Sequence, residues 1–230
     1  MHLLPKSAIA YRILVLSIGV AVAAAVVLPS IQAQTFSVIH TFTGSADGAM
    51  PQGSLILDQQ GNLYGTASAG GFTGNNCTSS GCGTVFRLAR RGTGWVFTPL
   101  YSFQGNNDGA LPLAGVTVGP DGTLYGTTYL GGFGFGTAYN LRPPAHAAGN
   151  VLGGWNETVI YRFGVGTDAR YPGLGNLIFD PAGTLYGTTT EGGVYCDDGG
   201  TCGAVFALAG LARGKAKHRT DAQVPRSIHG

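Results

Sequence analysis

The chain has 230 residues, of which 40 are glycine and only 10% are charged. Glycine lowers helix stability by about 1 kcal/mol per residue relative to alanine, so long exposed helices are excluded. The formal net charge of +2 is unevenly placed: Lys6 and Arg12 lie near the N-terminus, and Arg213, Lys215, Lys217, Arg219 and Arg226 face the single acid Asp221 in the last twenty residues. The stretch between residues 34 and 210 is therefore mildly acidic and lacks the basic stripe that a nucleic-acid partner requires.

Lys6 and Arg12 precede an apolar run over residues 13–28, broken only by Ser17 and Gly19 and followed by Pro29, Ser30 and Ile31-Gln32-Ala33. Charge, apolar stretch, helix breaker and small residue in that order predict a secretory signal over residues 1–33, cleaved after Ala33. An uncleaved anchor is the alternative, but the run is short of the roughly 20 residues that cross a bilayer. No later segment is long and apolar enough to span a membrane, so the mature protein is expected outside the cell, secreted or at its surface.

The next 177 residues, from Gln34 to Gly210, are built on one repeated unit. Gly61-Asn62-Leu63-Tyr64-Gly65-Thr66 returns as Gly122-Thr123-Leu124-Tyr125-Gly126-Thr127 and as Gly183-Thr184-Leu185-Tyr186-Gly187-Thr188, with the tyrosines 61 residues apart. Phe42, Phe103 and Phe163 recur, as do Pro51, Pro112 and Pro172 and the diglycines Gly70-Gly71, Gly131-Gly132 and Gly192-Gly193. Gly83-Thr84-Val85-Phe86 has counterparts at 136–139 and 203–206.

In chain order, residues 35–42 predict a lone strand, and the first unit then predicts four. An apolar run at 54–58 turns through Gln59-Gln60-Gly61 into 62–67; a third strand follows at 84–88 and a fourth at 95–103. The second and third units turn through 119–122 and 180–183, where proline and glycine give stronger hairpin chemistry. Pro99 cannot donate to a ladder, which makes the fourth strand an edge. Gly65, Gly126 and Gly187, inside strands, are expected where the backbone of a neighbouring sheet comes close.

The fold expected is all-β: a propeller-like array of three four-stranded antiparallel repeats, at roughly 43–103, 104–163 and 164–210, with a β-sandwich or β-solenoid as the rival. Residues 35–42 align with the fourth strand, and the last unit has none, so 35–42 is expected to complete the last blade and close the ring. Three blades are fewer than the usual four to eight: either the ring pairs with a second copy as a homo-oligomer, or the chain is a shortened relative of longer proteins, which is the favoured reading. Residues 211–230 read as a basic, disordered tail.

Cys77 and Cys82 lie in the long loop after the first diglycine, and Cys196 and Cys202 in that after the third; the second repeat has a short loop and no cysteine. Four cysteines allow three pairings, and this distribution favours Cys77–Cys82 and Cys196–Cys202. A zinc site is the alternative reading. Asp47, Asp108 and Asp168 recur five residues after each repeat phenylalanine. Their plain reading is turn chemistry, with each aspartate capping its own backbone two residues on; the sharper one is a ligand-binding set of carboxylates, for a cation or for sugar hydroxyls. The five histidines are scattered, and Glu157 and Glu191 have no repeat counterparts. Neither a nucleophilic triad nor a glycosidase carboxylate pair is visible, and neither cofactor nor metal is expected.

The repeated Leu-Tyr-Gly-Thr, Gly-Gly and Gly-Thr-Val-Phe elements resemble the GloVer tandem-repeat family of secreted bacterial proteins, known as choice-of-anchor proteins, over residues 36–208. The resemblance implies a bacterial, extracellular or surface-attached protein with propeller-like repeats; it carries no established activity and no catalytic residues. Together these readings point to a secreted or surface-associated binding module for a carbohydrate or protein ligand. A purely structural or adhesive repeat is the second reading, and a carbohydrate-active enzyme the third.

Overall fold

A computed structural model of the chain describes residues 34–144, 146–147, 150–151, 154–164, 169–193 and 202–210. The predicted signal over 1–33 and the tail over 211–230 lie outside the described residues. The chain divides into a unit ending at Val38 and a second running from Ile39 to Gly230, to which all the strands belong.

The first repeat forms β1 (Ile56–Leu57), β2 (Leu63–Ala67), β3 (Thr84–Arg91) and β4 (Gly94–Ser102). The second forms β5 (Thr117–Val118), β6 (Leu124–Thr128) and β7 (Thr137–Arg142), then the small hairpin β8 (His146–Ala147) and β9 (Asn150–Val151), then β10 (Asn156–Arg162). The third forms β11 (Arg170–Pro172), β12 (Ile178–Phe179), β13 (Leu185–Glu191) and β14 (Ala204–Leu208). Strands β1-β2-β3-β4 and β5-β6-β7-β10 make two antiparallel sheets in that order. In the third sheet Leu185 pairs with both Phe179 and Leu208, and Thr189 with both Pro172 and Ala204. Strands β11 and β12 therefore share one edge of β13, and β14 holds the other. Among the described residues there is no helix, and none of the three sheets is closed.

The turn chemistry appears in the structure as the sequence predicts. Gly61, Gly122 and Gly183 each take a left-handed φ near 80°, and their N–H groups donate to the carbonyls of Asp58, Gly119 and Asp180. Pro99 lies on the edge strand β4, beside a bulge that breaks the register between Val85 and Phe86; β10 carries a bulge at the matching place, between Val159 and Tyr161.

The strand glycines have a different cause from the one expected. Gly65, Gly126 and Gly187 stand directly opposite Phe86, Tyr139 and Phe206 in register, with the outer atoms of each aromatic side chain over its glycine. An added Cβ would stand 2.7 Å from Phe86 Cζ, 2.4 Å from the Tyr139 hydroxyl oxygen and 2.5 Å from Phe206 Cζ. The close neighbour is a cross-strand ring of the same sheet, not the backbone of another. Backbones of adjacent sheets do meet, but at Gly53 and Gly115: a Cβ on Gly53 would stand 2.6 Å from the Gly115 nitrogen.

The repeat phenylalanines join the sheets. Phe103, at the end of the first sheet, packs edge-on against Tyr139 of the second at 5.0 Å, and Phe163 packs the same way against Phe206 of the third. Backbone bonds run beside them, from Leu111 N–H to the Cys82 carbonyl at 2.9 Å and from Tyr171 N–H to the Phe135 carbonyl at 2.8 Å. Met50, Leu111 and Tyr171, each just before the repeat proline, sit at a φ of 55–57°. That left-handed conformation costs a residue with a side chain about 1–2 kcal/mol. It is held at Leu111 because its carbonyl also accepts from Tyr129 N–H.

Residues 34–43, from which a closing strand is expected, form no strand here. Phe42 instead packs against Phe86 at 5.1 Å, occupying on the first sheet the place that Phe103 takes on the second.

Candidate functional site

Strand two of each unit starts at the hairpin and ends at the diglycine, so these two loop sets lie at opposite ends of the sheets. The aspartate turns belong to the diglycine end. Gly71 N–H donates to the Ser45 carbonyl at 2.8 Å, Gly132 N–H to the Asn106 carbonyl at 2.6 Å, and the bridges Ala49–Ala69 and Ala110–Leu130 tie the same segments together.

Asp47 accepts from Thr43 N–H at 2.9 Å and from its hydroxyl at 2.7 Å; Asp108 accepts from Gln104 N–H at 2.6 Å. The capped amide therefore lies four residues before the aspartate, not two after it, because the carboxylate closes the turn it ends. The Thr43 hydroxyl bond holds the Asp47 carboxyl below its ordinary range. Asp168 lies outside the described residues. Aspartates capping two residues on do occur in the hairpins: Asp58 accepts from Gln60 N–H, and Asp121 from Thr123 N–H.

The disulfide Cys77–Cys82 is formed, with the Cα atoms 4.8 Å apart. Around it, Gly83 N–H donates to the Gly70 carbonyl and Cys82 N–H to that of Phe72, so the long loop is also closed by its own backbone. The short loop of the second repeat is held by two bonds to the Gly131 carbonyl, from Gly134 and Gly136. Of the second cysteine pair, Cys196 lies outside the described residues.

Two features of this end were not singled out from the sequence. Directly after the diglycines, Phe72 and Phe133 occupy the same repeat position and are 45% and 70% exposed. The recurrence Gly-Gly-Phe at 70–72 and 131–133 was the available signal.

The other feature is a polar cluster inside the second repeat. In the first repeat His40 stacks on Phe97 at 4.0 Å, and its Nε2 lies 3.5 Å from Asp47 Oδ2, an ion-pair distance without hydrogen-bond alignment. Aligned on Trp95 and Trp155, the second repeat places Tyr101 for His40, Asp108 for Asp47, Glu157 for Phe97 and Tyr139 for Phe86. Tyr101 donates its hydroxyl to Asp108 Oδ1 at 2.7 Å, and the Glu157 carboxyl lies within reach of the Asp108 charge. Burial first, then the charge of Asp108, pushes the Glu157 carboxyl up to about 8, against a pull from Arg162. Glu157 is therefore mainly protonated at neutral pH. Burial also raises the Tyr101 and Tyr139 hydroxyls. Glu157 Oε1 and the Tyr139 hydroxyl are buried without a hydrogen-bond partner.

Among the described residues, no group of three or more His, Cys, Asp or Glu converges on a point that would hold a metal ion, and no helix is long and apolar enough to cross a membrane. A family model described as the Gloeobacter/Verrucomicrobia repeat matches residues 25–206. No curated protein matches the chain.

Proposed function

The chain belongs to the Gloeobacter/Verrucomicrobia repeat family, and on that footing we propose that it is an exported binding module. Its ligand is a surface carbohydrate, taken up at the diglycine end of the sheets. The observation that carries this reading is the pair Phe72 and Phe133, two exposed rings at one repeat position on loops pinned by backbone bonds. Rings held in this way present apolar area at little entropic cost, and the carboxylates of Asp47 and Asp108 lie on turns bonded to the same loops. Aromatic faces beside carboxylate acceptors suit the C–H faces and hydroxyls of a sugar chain. The basic N-terminal region with its apolar run supports export, and the disulfide is consistent with an oxidising compartment.

A glycan array probed with the labelled protein tests the reading. Binding to at least one polysaccharide is expected, with loss in the Phe72→Ala/Phe133→Ala variant. An array without signal, or a variant that binds as the parent does, refutes it.

A further inference from the structure

The two ends of the array show unmatched halves of one interface. Leu55 is 51% exposed on the first sheet, whereas its counterparts Val116 and Leu177 are 0% and 2% exposed, because a preceding sheet covers them. At the other end Val205 is 68% exposed, whereas Val85 and Ala138 at the same repeat position are fully buried. Among the described residues, the third strand of each of the first two sheets has a partner along both edges, whereas β14 pairs only with β13. What covers each kind of face is shown twice inside the chain, at the junctions of sheets one with two and two with three.

The missing partner of β14 has the properties of residues 35–42. By alignment that segment corresponds to the fourth strand, and it has Phe36, Val38 and Phe42 where β4 has Phe97, Pro99 and Phe103. Phe36 and Val38 are exposed, and the segment makes no ladder. Phe42 already rests on Phe86 of the first sheet, as Phe103 and Phe163, each bonded through its N–H to the strand-three glycine carbonyl of the sheet it ends, rest on the next sheet.

We propose that two copies of this chain associate head to tail, residues 35–42 of each forming the fourth strand along β14 of the other. Register follows from the first sheet, where Thr84 faces Ser102 and Val85 faces Tyr101. Ala204 accordingly faces Thr41 of the other copy, Val205 faces His40, and the Phe42 N–H reaches the Gly203 carbonyl. Main-chain bonds join the copies by strand addition, and the first sheet's Leu55 face meets the last sheet's Val205 face. Two such contacts bring together six sheets in a closed ring, within the usual four to eight. The heterologous contact closes on itself after two copies and leaves no open edge.

The experiment combines sedimentation with cross-linking on the purified full chain. Sedimentation equilibrium is expected to give twice the chain mass, reduced to the single-chain mass by Val205→Lys, a substitution at an exposed site that leaves the fold intact by circular dichroism. In the Thr41→Cys/Ala204→Cys variant, mild oxidation is expected to produce a covalent dimer on a non-reducing gel. A single-chain mass with no cross-link overturns the proposal. So does a cross-linked monomer, which signifies closure within one chain, and so does a ladder of higher species, which signifies an open filament.

Discussion

Replacing Gly126 with alanine tests the packing that links the repeated sequence to the sheets. The new Cβ stands 2.4 Å from the Tyr139 hydroxyl oxygen and 2.6 Å from its Cζ. Tyr139 is fully buried and packs edge-on against Phe103, so shifting the ring disturbs the junction between the first two sheets. Overpacking of this kind costs about 3 kcal/mol at its upper range. Alanine returns roughly 1 kcal/mol by restricting the unfolded backbone, for a net loss of about 2 kcal/mol. Urea titration followed by fluorescence is expected to show a lower midpoint with an unchanged slope. Truncating the ring gives the decisive comparison. In a Tyr139→Ala background the clash is gone and only the backbone gain of roughly 1 kcal/mol remains, so the double-mutant cycle yields a coupling of about 3 kcal/mol. A loss under about 0.5 kcal/mol, or additivity between the two changes, refutes the reasoning.

Three further predictions concern charge, cross-link and export. The folded-state value of about 8 for Glu157 exceeds its ordinary 4.5, so the folded protein holds more protons between those values, and stability falls as pH rises through that window. Glu157 is half-buried and solvent screens part of the effect, leaving about 1–2 kcal/mol; urea midpoints measured across the window should show the slope, and Glu157→Gln should flatten it. Removing the Cys77–Cys82 bridge by a double alanine substitution should cost about 2 kcal/mol and keep the fold, since the backbone bonds of the loop remain; loss of the native circular dichroism contradicts this. Mass spectrometry of exported protein should find the N-terminus at Gln34 or Thr35, and an intact N-terminus in the membrane fraction contradicts the signal assignment.

Much of the fold was legible because the repeat writes it three times. The hairpins at 58–61, 119–122 and 180–183 carry their own turn chemistry, and Pro99 declares its strand an edge. The role of Gly65, Gly126 and Gly187 was not legible. A missing side chain signals a close neighbour, but not whether that neighbour is a ring across the ladder or the backbone of another sheet. That the last unit lacks a fourth strand was legible, but alignment shows which strand residues 35–42 resemble, not where they pair. At the candidate site, comparing repeats by identity passed over Glu157, because its counterpart is Phe97. The informative question is what a carboxyl meets when it replaces an aromatic ring, and Tyr101 and Asp108 supply the answer. Phe72 and Phe133 were written plainly in Gly-Gly-Phe, but their exposure depends on backbone bonds that no spacing shows.

The binding face is tested most directly by hydrogen exchange in the presence of a polysaccharide identified on the array. Amides of the diglycine loops, 70–83 and 131–136, are expected to gain protection, while the hairpins at 58–61, 119–122 and 180–183 exchange as in the free protein. Protection confined to the hairpins, or none at either end, contradicts the account.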